Sequence, residues 1–319
     1  MLDVFLFLLG IFFLFQSTKW FLYATQLITN YFNCSSWLIG LFVVGFGSSI
    51  PEIVVSLYSV FTNHSSIIIP NVVGSNIINI LLGLGISLFF IKNKKNRIFN
   101  PLHYSNIIIF ILSILLLIIG IIMNNFHSWY SILILVLGII NIYWIFVKSI
   151  PIKKKYNIQK KIPFFSLYYS IVLLIMSLII LIFSSHFIIN SIFNLSKIMG
   201  IKSEALIMTT ASLGTSLPEI SISIFSARKG NIELIFSNIL GSNITNFFLC
   251  IGLPSIFYTL TSNHNNDYFE IIWLFISGIS YLLTYILTLY KKFFLNRIIG
   301  IFLFLGFICF SIQCFSLIT

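Results

Sequence analysis

The chain has 319 residues, 59% of them hydrophobic and 8% charged, with a formal net charge of +11. Soluble domains are near a quarter charged. A mean hydropathy of +1.07 therefore excludes a soluble enzyme, a disordered tail and a disulfide scaffold, and leaves an all-α integral membrane protein. The excess of 18 Lys+Arg over 7 Asp+Glu reads as loops facing anionic lipid and a membrane potential, with no nucleic acid implied.

Crossing ~30 Å of hydrocarbon takes ~20 apolar residues. Breaking the chain at polar clusters and turn residues predicts ten transmembrane helices, at about 4–28, 37–61, 66–91, 103–123, 128–147, 165–190, 203–227, 233–260, 268–290 and 294–317. The first is expected to be a span rather than a cleaved leader, because it opens with Asp3 and has no basic n-region or A-x-A site. Cys34, Cys250, Cys309 and Cys314 show neither a disulfide framework nor metal-ligand spacing.

Basic residues set the expected orientation. Lys92, Lys94, Lys95 and Arg97 follow span 3; Lys148, Lys153, Lys154, Lys155, Lys160 and Lys161 follow span 5. Arg228 and Lys229 follow span 7, and Lys291, Lys292 and Arg297 follow span 9. These four connections share one side of a ten-span protein and hold fifteen of the eighteen basic residues. The other side holds Lys197 and Lys202 with Asp3, Glu204, Asp267 and Glu270. The positive-inside rule makes the basic side cytoplasmic, so a multi-pass protein of a bacterial inner (plasma) membrane with both termini outside the cytoplasm is expected.

Internal similarity is the decisive signal. Gly47-Ser48-Ser49-Ile50-Pro51-Glu52 recurs as Gly214-Thr215-Ser216-Leu217-Pro218-Glu219, 167 positions later (47 to 214). Asn71-Val72-Val73-Gly74-Ser75-Asn76-Ile77-Ile78-Asn79 recurs at the same offset as Asn238-Ile239-Leu240-Gly241-Ser242-Asn243-Ile244-Thr245-Asn246, and Ser56 and Ser59 map onto Ser223 and Ser226. Leu and Ile match everywhere by chance; Gly, Pro, Glu, Ser and Asn at one offset do not. Five spans separate the copies, so the second enters from the opposite face. This predicts two inverted-topology repeats of five spans, residues 1–147 and 165–319, joined by a basic cytoplasmic loop over 148–164.

Glu52 and Glu219 are the two acidic residues at mid-span, and they are equivalent under the repeat. A carboxylate at a helix centre costs ~2.5–3.5 kcal/mol even on the mildest scale, so a function with a partner is the default reading. Lys19 is the available salt-bridge partner, and one lysine cannot neutralise both. The neighbours suit a hard cation. Helical spacing sets Ser48 and Ser49, or Thr215 and Ser216, on one face with the glutamate that follows. Pro51 and Pro218 lack an N–H and clash with the carbonyls of Gly47 and Gly214, kinking each helix and freeing backbone oxygens. Ser75 with Asn79, and Ser242 with Asn246, share a face at i and i+4. Carboxylate, hydroxyl, amide and backbone oxygens are what Ca²⁺ and Na⁺ prefer. No His or Cys stands beside the motifs; His64, His103, His127 and His264 fall at loops or span ends, and His186 takes an interfacial or packing place. Asn71, Asn76, Asn238 and Asn243 are expected to cap helices or bridge between them.

At these residues the chain resembles the calcium/cation antiporter superfamily, and within it the bacterial sodium/calcium exchanger-like branch. The resemblance implies that Ser48, Ser49, Glu52, Ser75 and Asn79, with Thr215, Ser216, Glu219, Ser242 and Asn246, coordinate Na⁺ and Ca²⁺. It also implies backbone carbonyls near Gly45 and Ser212 as further ligands. Ser48 stands where Thr is common in the family. Asn246 stands where potassium-dependent relatives carry Asp, which argues against K⁺ dependence. The short loop over 148–164 leaves no room for a calcium-sensing cytoplasmic region.

The function expected is secondary active antiport of Ca²⁺ against Na⁺ by alternating access, with no cofactor, no enzymatic activity and no required protein partner. Proton-coupled exchange is the alternative, with Glu52 and Glu219 carrying H⁺ in place of Na⁺. An intramembrane protease would need an Asp pair in a G-x-G-D setting, which is absent. A passive channel would leave the inverted repeat without a purpose.

Overall fold

The computed structural model describes residues 2–32, 36–61, 65, 68–91, 104–123, 128–149, 164–198, 212–258, 260, 267–289 and 293–316. The described residues form α1 (Leu2–Phe32), α2 (Trp37–Phe61), α3 (Ile68–Phe89), α4 (Tyr104–Ile122), α5 (Ser128–Ser149), α6 (Phe164–Ile198), α7 (Leu217–Lys229), α8 (Ile232–Phe257), α9 (Asp267–Leu289) and α10 (Phe293–Ser316). Each of the ten expected spans thus contains described helix, the seventh only from residue 212 onward. Seven are long and apolar enough to cross a membrane by length and composition, while α4 and α5 carry shorter apolar stretches. The basic connections over 92–97, 150–163 and 290–292 lie outside the described residues, as do positions 201–211 with Lys202 and Glu204.

The bundle is graded from inside to outside. Of their most apolar stretches, α3 and α8 bury 89% and 94%, whereas α1, α6 and α10 bury 28%, 22% and 17%. Large side chains such as Phe12, Ile108, Ile139, Phe183 and Phe302 stand exposed on the outer helices, the pattern of a protein whose solvent there is hydrocarbon rather than water. One core gathers Val72, Ile77, Leu84, Ile235, Phe236 and Phe247 around α3 and α8. A second lies between α1 and α6, where Phe21, Leu22, Leu174 and Leu178 meet Ile222 of α7.

Hydrophobic exclusion does little between helices in lipid, so close backbone packing and interhelical hydrogen bonds hold the bundle. Close glycine packing recurs in equivalent pairs. A Cβ at Gly45 of α2 would lie 2.8 Å from Ser242 N and 2.9 Å from Gly241 Cα, and one at Gly241 of α8 would run into the Leu41 carbonyl. At the equivalent crossing a Cβ on Gly74 of α3 would lie 2.7 Å from Ser212 Oγ. Gly85 of α3 packs against Gly300 of α10, and its repeat partner Gly252 of α8 packs against Leu135 of α5. The 167-residue offset read along the chain is therefore also a relation between contacts.

Candidate cation site

Both proline motifs fold alike. Helix breaks at Ser49 (φ −83°, ψ 5°) and at Ser216 (φ −81°, ψ −3°), one turn ahead of the glutamates. Helix then resumes with Ile53 N donating to Ser49 O at 3.1 Å and Ile220 N to Ser216 O at 3.0 Å. α3 and α8 loosen at matching places, passing into π-helical turns over Asn79–Leu84 and Asn246–Ile251. A third such turn precedes the first motif at Gly40–Gly45. Wide turns of this kind cluster at functional sites, and here two begin at the asparagines that close the second motif. α7 ends on Gly230 at φ 68°, a left-handed cap open to glycine.

These devices bring the expected residues together. Glu52 and Glu219 are 0% and 1% exposed and close enough to interact electrostatically. Ser48, Ser49, Ser75, Asn79, Ser212, Thr215, Ser216, Ser242 and Asn246 are buried with them, as is Gly45. Ser49 Oγ donates to Glu219 Oε1 at 3.2 Å, across the repeat boundary rather than to its own Glu52. Plain helical spacing had set Ser49 beside Glu52; the break at Ser49 ends that periodicity. Ser75 and Thr215 hydroxyls meet at 3.5 Å. Ser48 Oγ donates to Gly45 O at 3.4 Å, and Thr215 Oγ1 donates to Ser212 O at 3.3 Å. The same two hydroxyls also approach the carboxylates, Thr215 beside Glu52 and Ser48 beside Glu219.

The asparagines form a reciprocal bridge. Asn79 Nδ2 donates to Asn243 Oδ1 at 3.1 Å and to Ser242 Oγ at 3.4 Å. In the equivalent bond Asn246 Nδ2 donates to Asn76 Oδ1 at 3.2 Å, and Asn243 Nδ2 reaches Asn76 O at 3.2 Å. Asn71 accepts from Ser212, and Asn238 donates to Glu219 O and Ser223 Oγ. The bridging role expected for Asn71, Asn76, Asn238 and Asn243 is met by interhelical bonds in each case. Lys19 is exposed on α1, and His186 is exposed on α6 with Asn190 as its hydrogen-bond partner. Neither belongs to the buried cluster.

Five oxygens of this cluster take part in no hydrogen bond of good geometry among the described residues: both of Glu52, which the Thr215 hydroxyl approaches, Glu219 Oε2, Ser216 Oγ and Asn79 Oδ1. Buried polar atoms are usually paired; unpaired ones also occur elsewhere in the bundle, as at Asn141 and Ser191, but among the described residues only this group includes carboxylate oxygens, and it draws on both halves of the chain. Among the described residues no three His, Cys, Asp or Glu side chains cluster as a metal site. Hard oxygen donors, with carboxylate charge and no thiolate or imidazole, match Ca²⁺ or Na⁺ better than a transition metal.

The sequence paired Ser56 with Ser223 and showed no ligand spacing at Cys250, but it did not place these side chains beside this cluster. Cys250 sits one turn past Asn246, with its thiol 3.8 Å from Asn246 Oδ1. The i, i+4 spacing from Asn246 was the available signal for it.

The profile of the family described as "Sodium/calcium exchanger protein" matches residues 2–147 and 169–315. The chain belongs to that family. The exchanger is 31% identical over 289 residues to an uncharacterized membrane protein of Methanocaldococcus jannaschii, covering 90% of each chain. It is 26% identical to the sodium/calcium exchanger MaX1 of Methanosarcina acetivorans, covering 80% of this chain and 83% of that one. Among solved structures it superposes on the sodium-calcium exchanger NCX_Mj soaked with Na⁺ and Ca²⁺ with a TM-score of 0.80. Identity there is 27%, over 99% of this chain and 98% of the other. The exchanger is accordingly a multi-pass membrane transporter of cations and not an enzyme.

Proposed function

We propose that the protein exchanges Ca²⁺ for Na⁺ by alternating access, both ions using Glu52 and Glu219. The five oxygens without a hydrogen bond of good geometry, contributed by both halves of the chain, carry this reading. Two carboxylates give the site a formal charge of −2, which one Ca²⁺ neutralises. Na⁺ ions would spread over the hydroxyl and amide oxygens of Ser48, Ser49, Thr215, Ser216, Ser75, Ser242, Asn79 and Asn246, and the carbonyls of Gly45 and Ser212. Because the ligand sets overlap, the ions compete. An empty site would carry bare carboxylates through a low-dielectric barrier, so switching sides requires a load. Exchange of three Na⁺ for one Ca²⁺ would move one net charge per cycle, worth ~2.3 kcal/mol per 100 mV.

The test is ⁴⁵Ca²⁺ uptake into proteoliposomes under imposed gradients. An outward Na⁺ gradient should drive uptake, a pH gradient without Na⁺ should not, and a potential should change the rate. Uptake that ignores Na⁺ and follows the pH gradient would replace Na⁺ by H⁺ as the coupling ion.

The same reading divides the chain into repeats at 1–147 and 165–319 about a cytoplasmic loop, in an inner membrane with outward termini. In a protein cleared of native cysteines, Lys94→Cys and Lys154→Cys should resist an impermeant thiol reagent added to intact cells. Asn265→Cys should react. Labelling of either lysine position from outside overturns the orientation.

A further inference from the structure

The side-chain amide bond between α3 and α8 recurs in both directions, but the way α2 and α7 meet the bridge does not. In the second repeat Asn238 Nδ2 donates to Ser223 Oγ at 2.9 Å and to Glu219 O at 3.1 Å. The equivalent atoms in the first repeat are Asn71 Nδ2 and Ser56 Oγ. Both are buried, at 2% and 1% exposure for their residues; Asn71 Nδ2 has no partner, and Ser56 Oγ has only the Cys250 thiol beside it. Asn71 instead receives Ser212 Oγ from α7, on its side-chain oxygen at 3.2 Å and its carbonyl at 3.3 Å. The asymmetry extends to the carboxylates: Thr215 approaches Glu52 as Ser48 approaches Glu219, but Ser49 also donates to Glu219, whereas its equivalent Ser216 Oγ has no partner.

An inverted repeat whose halves were identical would hold its site equally far from both membrane faces, so facing one side requires the halves to differ. Facing the other side requires them to exchange arrangements. We propose that Asn71 and Ser212 are positioning residues for this step. Asn71 holds Ser212 in the facing seen here and takes Ser56 Oγ and the Glu52 carbonyl in the opposite one, while Asn238 releases Ser223. The inference rests on the alternating-access reading above.

The exchange is not symmetric. Asn238 finds no hydroxyl to receive in the opposite facing, because Gly45 stands where the second repeat has Ser212. The Ser212–Asn71 bond therefore favours one facing, and the Ser56–Asn71 bond favours the other. Each is one buried neutral hydrogen bond, so its loss should move the balance between facings by about two- to tenfold.

Ser212→Ala and Ser56→Ala test this through apparent Ca²⁺ affinity, measured at each membrane face in right-side-out and inside-out vesicles of the full-length protein. Apparent affinity at a face scales with the fraction of protein open to it. Each substitution should raise affinity at one face and lower it at the other, the two substitutions in opposite senses, and the double variant should return toward the parent ratio. A damaged ion shell or misfolding would instead weaken both faces together. Unchanged ratios, a common direction for both variants, or a shift in one variant alone overturns the proposal. Absence of Ca²⁺ flux in the parent would instead overturn the exchange reading.

Discussion

Glu52→Gln and Glu219→Gln should each abolish Ca²⁺ exchange while leaving protein that is at least as stable as the parent. Each change removes half the charge facing a divalent ion and leaves the remaining oxygens arranged around a deficit. Breaking a buried charge interaction typically costs 3–5 kcal/mol, so Ca²⁺ affinity should fall by about a hundredfold or more. Stability should move the other way. In ion-free protein the two carboxylates interact with no cation between them, so neutralising one removes a repulsion and a desolvation burden. The measurements are ⁴⁵Ca²⁺ flux in proteoliposomes and thermal unfolding in detergent with a Ca²⁺ chelator. Exchange at parent rates in either variant sinks the shared site. Unfolding well below the parent would mean that the carboxylates also hold the bundle together.

Gly241→Ala should be strongly damaging, because its methyl has only backbone to displace. The new Cβ would meet backbone of α2, running into the Leu41 carbonyl and lying 3.0 Å from Leu41 Cα. Backbone cannot turn aside as a side chain can, so α2 must retreat from α8 and carry Glu52 away from Asn246. Overpacking of this kind costs about 1–3 kcal/mol or more, and transport should fall further than stability because the ion shell spans the crossing. Gly306→Ala is the control. Its Cβ would lie 3.7 Å from Leu81 Cδ2, an ordinary contact, and should leave both flux and melting temperature near the parent. Equal behaviour of the two variants would show that the crossing of α2 and α8 does not position the site.

Much of this was legible in the chain itself. Apolar length marked ten helices because the hydrocarbon thickness fixes it, and the 167-residue self-match found the buried residues because polar groups persist in hydrocarbon only with a task. That match identifies which positions correspond, however, and not which ones touch. Ser49 pairing with Glu219 and Ser212 with Asn71 are contacts between copies, set by how α2 and α7 cross α3 and α8. The π-helical turns at Asn79 and Asn246 carry no residue signature comparable to Pro51 and Pro218. The glycines of the motifs announced close approach, but only the assembled bundle pairs Gly45 with Gly241.

The reciprocal amide bridge between α3 and α8 has a consequence for the compartments on either side. Carboxamides neither gain nor lose a proton across the range in which cells live, and a neutral pair buried among Asn76, Asn79, Asn243 and Asn246 offers dissolved salt nothing to screen. A crossing built from ion pairs would loosen or tighten with the acidity and ionic strength of whichever compartment the site had just opened to. One built from amides holds the same dimensions on both sides. The cell interior and the medium can then differ widely in composition while the shell that measures the ion keeps one gauge.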